Sequence, residues 1–266
     1  MPVLASSLDP SGLPAAAHGA DLAWALRLLR LSQWLTDKGI SPARVVVVVP
    51  YAQLMDAGRR AWAKLFPSGF APRFESSRNW ATNLAPFAPG AMDWSGDLAR
   101  DSLIAAAFVD SVEGALRGRS DPALRATLVS RLVEATRSLA PLGASVPPEN
   151  RTAWGQDRLE ALAPGLQNPL WEGLIATLAL TWASNSAYAT DVLWGPLAQP
   201  GGVADGLWVL QGFQSDPLAN ALVARWGDDR GRIEALWEDG AAGETVAEAG
   251  SLAIQWHACG DAEHEA

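Results

Sequence analysis

The chain has 266 residues, 49% of them hydrophobic and 18% charged, a balance typical of a globular protein and unlike a disordered or collagen-like chain. Its formal net charge of -9 argues against a stand-alone nucleic-acid binder, because phosphate binding needs clustered Lys and Arg. A single cysteine, Cys259, excludes an intramolecular disulfide. With no secretory signal pattern and no apolar run near the roughly 20 residues of a membrane span, we expect a cytoplasmic protein.

The first predicted element is a helix over residues 21–37, where leucines and tryptophans recur at helical spacing before Gly39. Five consecutive valines at 45–49 then predict a strand buried on both faces, as in a parallel sheet. A helix over 51–66 and a short strand over 73–76 follow. The order of helix, strand and helix indicates an α/β fold.

Residues 96–188 carry helical patterns only, which predicts an all-helical insertion between two parts of the sheet. Its clearest helix follows Ser120 or Asp121 as the capping residue, with Pro122 in the first turn. The α/β core is therefore expected to be discontinuous, formed by residues 1–95 and 189–266.

The sheet pattern resumes with an apolar strand over 207–210, followed by a helix over 216–226 that Asp216 caps. Two further strands are predicted over 232–237 and 252–256.

Three stretches of the sequence resemble the first motor domain of superfamily 1 helicases. In order, they are "RVVVVVPYAQLMDAGRRAW", "DGLWVLQGFQSDPLANAL" and "SLAIQWHACGDAEHEA". The order is most similar to the amino-terminal, helicase-like part of AddB-type subunits of bacterial helicase-nucleases. The resemblance implies a fold like that of P-loop NTPases (RecA-like), with a mostly parallel sheet flanked by helices, and a place in double-strand break repair and recombination.

The chain departs from that family where ATP is bound and cleaved. An ATP-driven motor needs a glycine-rich loop with a lysine, but "ASSLDPSGLPAAAHGAD" before the first helix has no lysine and contains two prolines. The acidic pair that would hold Mg²⁺ lines up with Gln211 and Gly212, and Gln214 matches the glutamine that follows the pair. We therefore expect an inactive ATPase that binds no nucleotide. The turn after residue 210 is then expected to have a structural role only.

The resemblance also implies partners and further domains. In that family a helicase partner subunit supplies the motor, and the nuclease and its iron-sulfur cluster lie far toward the carboxyl end. A single cysteine cannot hold such a cluster. We expect no cofactor, no catalytic residue and no activity in this chain, which we interpret as part of a larger nuclease or helicase subunit.

Residues in "FESSRNWATNL" are the candidate DNA contacts. At this position the family has a polar loop that faces nucleic acid, and hydroxyls, a guanidinium and helix-start N–H groups suit phosphate. The four candidates are Ser76, Ser77, Arg78 and Asn79. The simpler interpretation is a helix cap at Ser76 or Ser77, with Arg59 and Arg60 as ordinary surface charges.

Other interpretations remain open from the sequence. The cluster "HACGDAEHE" has residue types that bind zinc, although a strand end followed by a solvated helix start is favoured, so no metal site is expected. Exposed tryptophans could stack on bases; those considered are Trp24, Trp62, Trp80, Trp94 and Trp208. A small-molecule hydrolase or transferase using the crevice beyond the strands, and a purely protein-binding module, are the alternative functions.

Overall fold

A computed structural model describes residues 19–113, 121–162 and 171–237 of the chain. The strands described are β1 (Val45–Val48), β2 (Arg73–Glu75), β3 (Gly206–Gln211) and β4 (Gly231–Ala235). They form one sheet in the order β2-β1-β3-β4, and every neighbouring pair is parallel. The predicted α/β class with a parallel sheet is confirmed.

Helices precede, separate and follow these strands. Those described are α1 (Gly19–Lys38), α2 (Leu54–Leu65), α3 (Ser77–Leu84), α4 (Leu98–Glu113), α5 (Pro122–Ala144), α6 (Pro148–Leu162), α7 (Trp171–Asn185) and α8 (Pro217–Trp226). Short 3-10 turns lie at Pro42–Arg44, Asp191–Trp194 and Pro196–Ala198.

The sheet is covered on both faces, which explains the unbroken valine run. On one face Val46 and Val48 join a cluster with side chains of α3 and α8. On the other face Trp34 of α1 contacts Trp208 of β3, with ring centroids 5.4 Å apart. All four residues of β1 are buried, as the absence of polar alternation predicts.

The helices between β2 and β3 pack around an apolar cluster of their own. Side chains of α4, α5 and α7 form it, among them Ile104, Leu132 and Trp182. The described part of residues 98–185 contains helices and no strand, as predicted. The division into a discontinuous sheet core and a helical insertion stays a prediction.

Helix ends follow the signals in the sequence. The Asp121 side chain accepts a hydrogen bond from the backbone N–H of Ala123, and Gly39 after α1 has a φ of 64°, a conformation that favours glycine. The strand and helix bounds differ from the predicted ones by a few residues, as in α1, which begins at Gly19. The strand predicted over 252–256 lies outside the described residues.

Arg151 of α6 is a buried cation that ties several segments together; its side chain is 4% exposed. It donates to the carboxylate of Asp191 at 2.5 and 3.1 Å, and its guanidinium lies 4.7 Å from the centre of the Tyr188 ring. It also donates, at 2.8–3.1 Å, to three backbone carbonyl oxygens, those of Gly143, Val146 and Ser186. These five bonds match the five N–H donors of a guanidinium, so the buried charge is fully compensated.

Replacement of Arg151 by Ala is expected to lower the free energy of unfolding by about 3–5 kcal/mol, because it removes the positive charge that pairs with Asp191 and a hydrogen-bond donor from three carbonyls. Urea unfolding followed by circular dichroism measures this loss. Arg158, an exposed residue of the same helix, provides the control: Arg158→Ala should change stability by less than about 0.5 kcal/mol. Equal effects of the two substitutions would contradict the assigned role.

A second ion pair joins the amino ends of β1 and β3. Arg44 donates from Nε to Asp205 Oδ2 at 2.9 Å and from a terminal nitrogen to Oδ1 at 3.1 Å. In return, the Asp205 backbone N–H donates to the Arg44 carbonyl at 2.7 Å. The hydrogen bond from Arg44 holds the pKa of Asp205 below its ordinary value.

The Arg44–Asp205 pair should therefore add a pH-dependent contribution to stability. Because the folded pKa of Asp205 lies below the unfolded value of about 3.9, this contribution is present above pH 4 and disappears as the pH falls through the folded pKa. The difference in free energy of unfolding between the chain and an Asp205→Asn variant should shrink over that range. A difference that stays constant as the pH falls would contradict this role of the pair.

Candidate functional site

The carboxyl ends of the strands form the candidate site. The chain leaves β1 for β2 on one side, whereas β3 pairs with β1 on the other, so the strand order reverses between β1 and β3. In open parallel sheets such a reversal opens a crevice beyond the strand ends, where ligands bind. We call this region the carboxyl edge, and it comprises residues 50–53, 76–79 and 211–216.

Gln211 ends β3, and its side chain is held by hydrogen bonds. Its amide nitrogen donates to Asn220 Oδ1, and the Asn220 amide donates to Ser215 Oγ at 2.6 Å. The Gln211 carbonyl accepts from the Leu236 N–H at 2.7 Å. The residue therefore links β3 to the loop and helix that follow it.

Gly212 lies against the loop that follows β1. A Cβ atom placed on Gly212 would lie 3.1 Å from Pro50 Cβ and 3.3 Å from the Tyr51 ring. Such distances are shorter than ordinary carbon contacts, so a larger residue would push the Pro50 and Tyr51 side chains away by a few tenths of an ångström. A side chain at position 212 therefore requires a small adjustment of Pro50 and Tyr51.

The carboxylates at and next to this edge are engaged in structural contacts. Asp216 Oδ1 accepts from the N–H groups of Leu218 and Ala219 at 3.0 and 3.3 Å, and its Oδ2 accepts from Ser77 Oγ at 3.2 Å. Glu75 accepts from the Asn83 amide at 3.3 Å. Within the described ranges no group of three or more His, Cys, Asp or Glu side chains could hold a metal ion.

The four candidate DNA contacts lie together at the start of α3. Ser76 Oγ accepts from the Asn79 N–H at 3.2 Å, so Ser76 is the helix cap, and Ser77 bonds Asp216. The Asn79 amide donates to Met55 Sδ at 3.5 Å. Arg78 is exposed. Among the four residues it is the one whose charge suits contact with a phosphate.

Sequence reasoning missed the role of Arg59. We expected an ordinary surface charge, but Arg59 donates to the Phe74 carbonyl at 3.2 Å while it pairs with Asp56 at 3.1 Å. Phe74 belongs to β2, a strand at the edge of the described sheet, where backbone groups need partners other than a strand. No local pattern around Arg59 indicates this contact, because Phe74 is 15 positions away.

Four of the five tryptophans considered for base stacking lie in the core. Trp24, Trp62, Trp80 and Trp208 are buried, and Trp94 is partly buried against Trp182. That alternative is therefore wrong for the four buried tryptophans, and for Trp94 it stays a prediction. The exposed rings at the carboxyl edge are instead Tyr51 and Phe213, which the sequence patterns did not single out.

Two other predicted features lie largely or wholly outside the described residues. They are the His, Cys and carboxylate cluster at 257–265 and the segment before α1, which is expected not to bind phosphate. In the part of the chain that the structure describes, no helix has the length and apolar character to cross a membrane.

Comparison with known proteins does not identify a family. No family model, no curated protein and no solved structure matches this chain. The function is therefore argued from the carboxyl edge itself.

Replacement of Asp216 by Ala should destabilise the chain by about 1 kcal/mol, because the first turn of α8 loses its cap. Asp216→Asn keeps an oxygen for the same N–H groups, so it should cost less than about 0.5 kcal/mol. Urea unfolding compares the two variants. Equal losses would show that the charge of Asp216, and not its capping oxygen, is what the fold needs.

Proposed function

We propose that this chain is a catalytically inactive, helicase-like domain that acts as a DNA-facing scaffold in double-strand break repair or recombination. It would be part of a larger cytoplasmic helicase-nuclease subunit with a fold like that of P-loop NTPases, and a helicase partner subunit would supply the motor. The proposal rests on the three stretches of sequence quoted above and on the geometry of the carboxyl edge.

The observation that carries the proposal is the pairing of β1 with β3, the strand that ends at Gln211 and is followed by Gly212. Two of the three stretches lie side by side in one parallel sheet, as a shared nucleotide-binding core requires. A hydrolysing motor needs carboxylates at the end of the second strand to hold Mg²⁺ and to position water. Here that position holds an amide bonded to Asn220 and a glycine packed against Pro50.

The proposed DNA contact is local and weak. The net charge of -9 repels the phosphate backbone of DNA at long range. DNA binding therefore depends on individual cations such as Arg78. Ser76, Ser77 and Asn79 would position Arg78 through their contacts at the start of α3. Further cations would come from other parts of the assembly.

Nucleotide binding tests the inactive-motor part of the proposal. Titration of the chain with a fluorescent, non-hydrolysable ATP analogue and Mg²⁺ should show no saturable binding, and ATP turnover should equal the blank. Mg²⁺-dependent ATP turnover would contradict the proposal, and tight binding of another small molecule would favour the alternative of a small-molecule enzyme.

DNA binding tests the scaffold part. Labelled single-stranded and tailed duplex DNA should bind with a dissociation constant on the order of 10⁻⁴–10⁻⁶ M, weakening as salt rises. Arg78→Ala should weaken binding and reduce the slope of log K against log salt by about 1. Arg158→Ala, an exposed arginine of α6, is the matched control. The DNA-facing role assigned to α3 is refuted if the chain binds neither form of DNA at low salt. It is also refuted if the two substitutions have equal effects.

A further inference from the structure

The strand β4 lies at one edge of the described sheet, with β3 on one side only. The Leu207 N–H donates to the Arg230 carbonyl, and the Leu236 N–H donates to the Gln211 carbonyl. The even-numbered residues of this segment therefore direct their backbone groups at β3. Residues 231, 233 and 235 direct theirs away from the sheet.

Part of this outer edge is bonded within the chain and part of it is open. The Gly231 N–H donates to the Gly227 carbonyl at 2.8 Å, and Arg27 Nε donates to the Ala235 carbonyl at 2.6 Å. In the described ranges, no hydrogen bond engages the Gly231 carbonyl, the Ala235 N–H or either backbone group of Ile233. Such open groups are a template for another strand.

The other edge of the described sheet is less suited to strand addition. The strand β2 has three residues, whereas β4 has five. In addition, Arg59 donates to the outward carbonyl of Phe74, at the centre of β2. Among the described strands, β4 therefore offers the longer and more open edge.

A carboxylate on β4 lacks a hydrogen-bond donor. The Glu234 side chain is 8% exposed, and its buried Oε2 accepts no hydrogen bond. The nearest cations are Arg30, 4.0 Å from Oε2, and the half-exposed Arg232, 3.2 Å from Oε1. A buried acceptor without a donor costs free energy, so a further donor beside β4 would stabilise Glu234.

The charges on β4 are complementary to those of the same strand in a second copy. A two-fold axis perpendicular to the sheet makes the two strands antiparallel, and centring it on Ile233 places Arg232 opposite Glu234 of the second copy. The symmetry forms this pair twice. A shift of the register by two residues instead places Arg232 opposite Arg232, or Glu234 opposite Glu234, and like charges directly opposite are destabilising.

The open backbone groups match each other in the same register. Ile233 exchanges both of its hydrogen bonds with Ile233 of the second copy, and the Ala235 N–H donates to the Gly231 carbonyl across the edge. The groups left over are the Gly231 N–H and the Ala235 carbonyl, which already bond Gly227 and Arg27. No backbone group of the edge is then without a partner.

We propose that the outer edge of β4 binds a second copy of this chain, forming a symmetric dimer in which the two sheets join through antiparallel β4 strands. Each Arg232 donates to Glu234 of the other copy. The contact is short, so the dimer is weak and its population depends on concentration. This assembly is independent of the proposed role in DNA repair.

Sedimentation velocity of the full chain from about 10 μM to 1 mM should show a monomer–dimer equilibrium. Arg232→Glu places like charges opposite each other and should weaken the dimer about 5-fold or more. Arg158→Glu makes the same change of charge at an exposed position of α6 and should leave the dissociation constant within about 2-fold.

A charge swap tests the register itself. Glu234→Arg should also weaken self-association, because it places Arg232 opposite an arginine. An equimolar mixture of the Arg232→Glu and Glu234→Arg chains should dimerise again, since each copy then faces an opposite charge at both positions. Circular dichroism and urea midpoints establish that each variant is folded.

Hydrogen exchange of the unchanged chain locates the contact without any substitution. The amide protons of Ile233 and Ala235 should exchange more slowly at 1 mM than at about 10 μM, because they become hydrogen-bonded in the dimer. The Asn79 N–H, which already bonds Ser76, should exchange at the same rate at both concentrations.

Three results would each overturn the proposal. One is a chain that stays monomeric up to about 1 mM. Another is a dimer in which the exchange of the Ile233 and Ala235 amides does not change with concentration. The third is an equal effect of Arg232→Glu and Arg158→Glu on self-association. Each would leave the proposed function standing, since that function is tested by nucleotide and DNA binding.

Discussion

The parallel pairing of β1 with β3 is the contact on which the rest of the architecture depends. Residues 45–48 meet residues 206–209 across the sheet although the helices α4 to α7 separate them in the chain. The pairing buries the valine run between two helical layers and aligns the ends of the two strands. Without it, Pro50 and Gly212 would not lie against each other, and the carboxyl edge would not exist as one surface.

The polar groups of this edge are largely bound to each other. The Gln211 amide donates to the Asn220 side chain, which donates in turn to Ser215. One Asp216 oxygen accepts from the first turn of α8, and the other accepts from Ser77. Catalytic groups usually keep an acceptor or donor directed at the substrate, and that freedom costs stability. An edge whose groups bond internally stabilises the fold.

Much of the fold could be predicted from local patterns, whereas the contacts of individual polar side chains could not. Five valines without alternation indicated a covered parallel strand, and the Asp216-Pro217 pair indicated a capped helix, because both signals are encoded within a few residues. The partners of Arg151 and Arg59 depend on the tertiary fold, since Asp191 is 40 positions from Arg151. For the same reason, the sequence could not show which aromatic residues are exposed.

Arg151 also has a consequence for how the molecule opens. Its guanidinium holds the carboxyl ends of α5 and α7 together with the turn that leads into β3, so none of these segments can separate without exposing a buried charge. Local fluctuations of this region are therefore suppressed in favour of a concerted opening. The amide protons of these two helix ends should exchange with solvent through openings of the same free energy, as members of one cooperative unit.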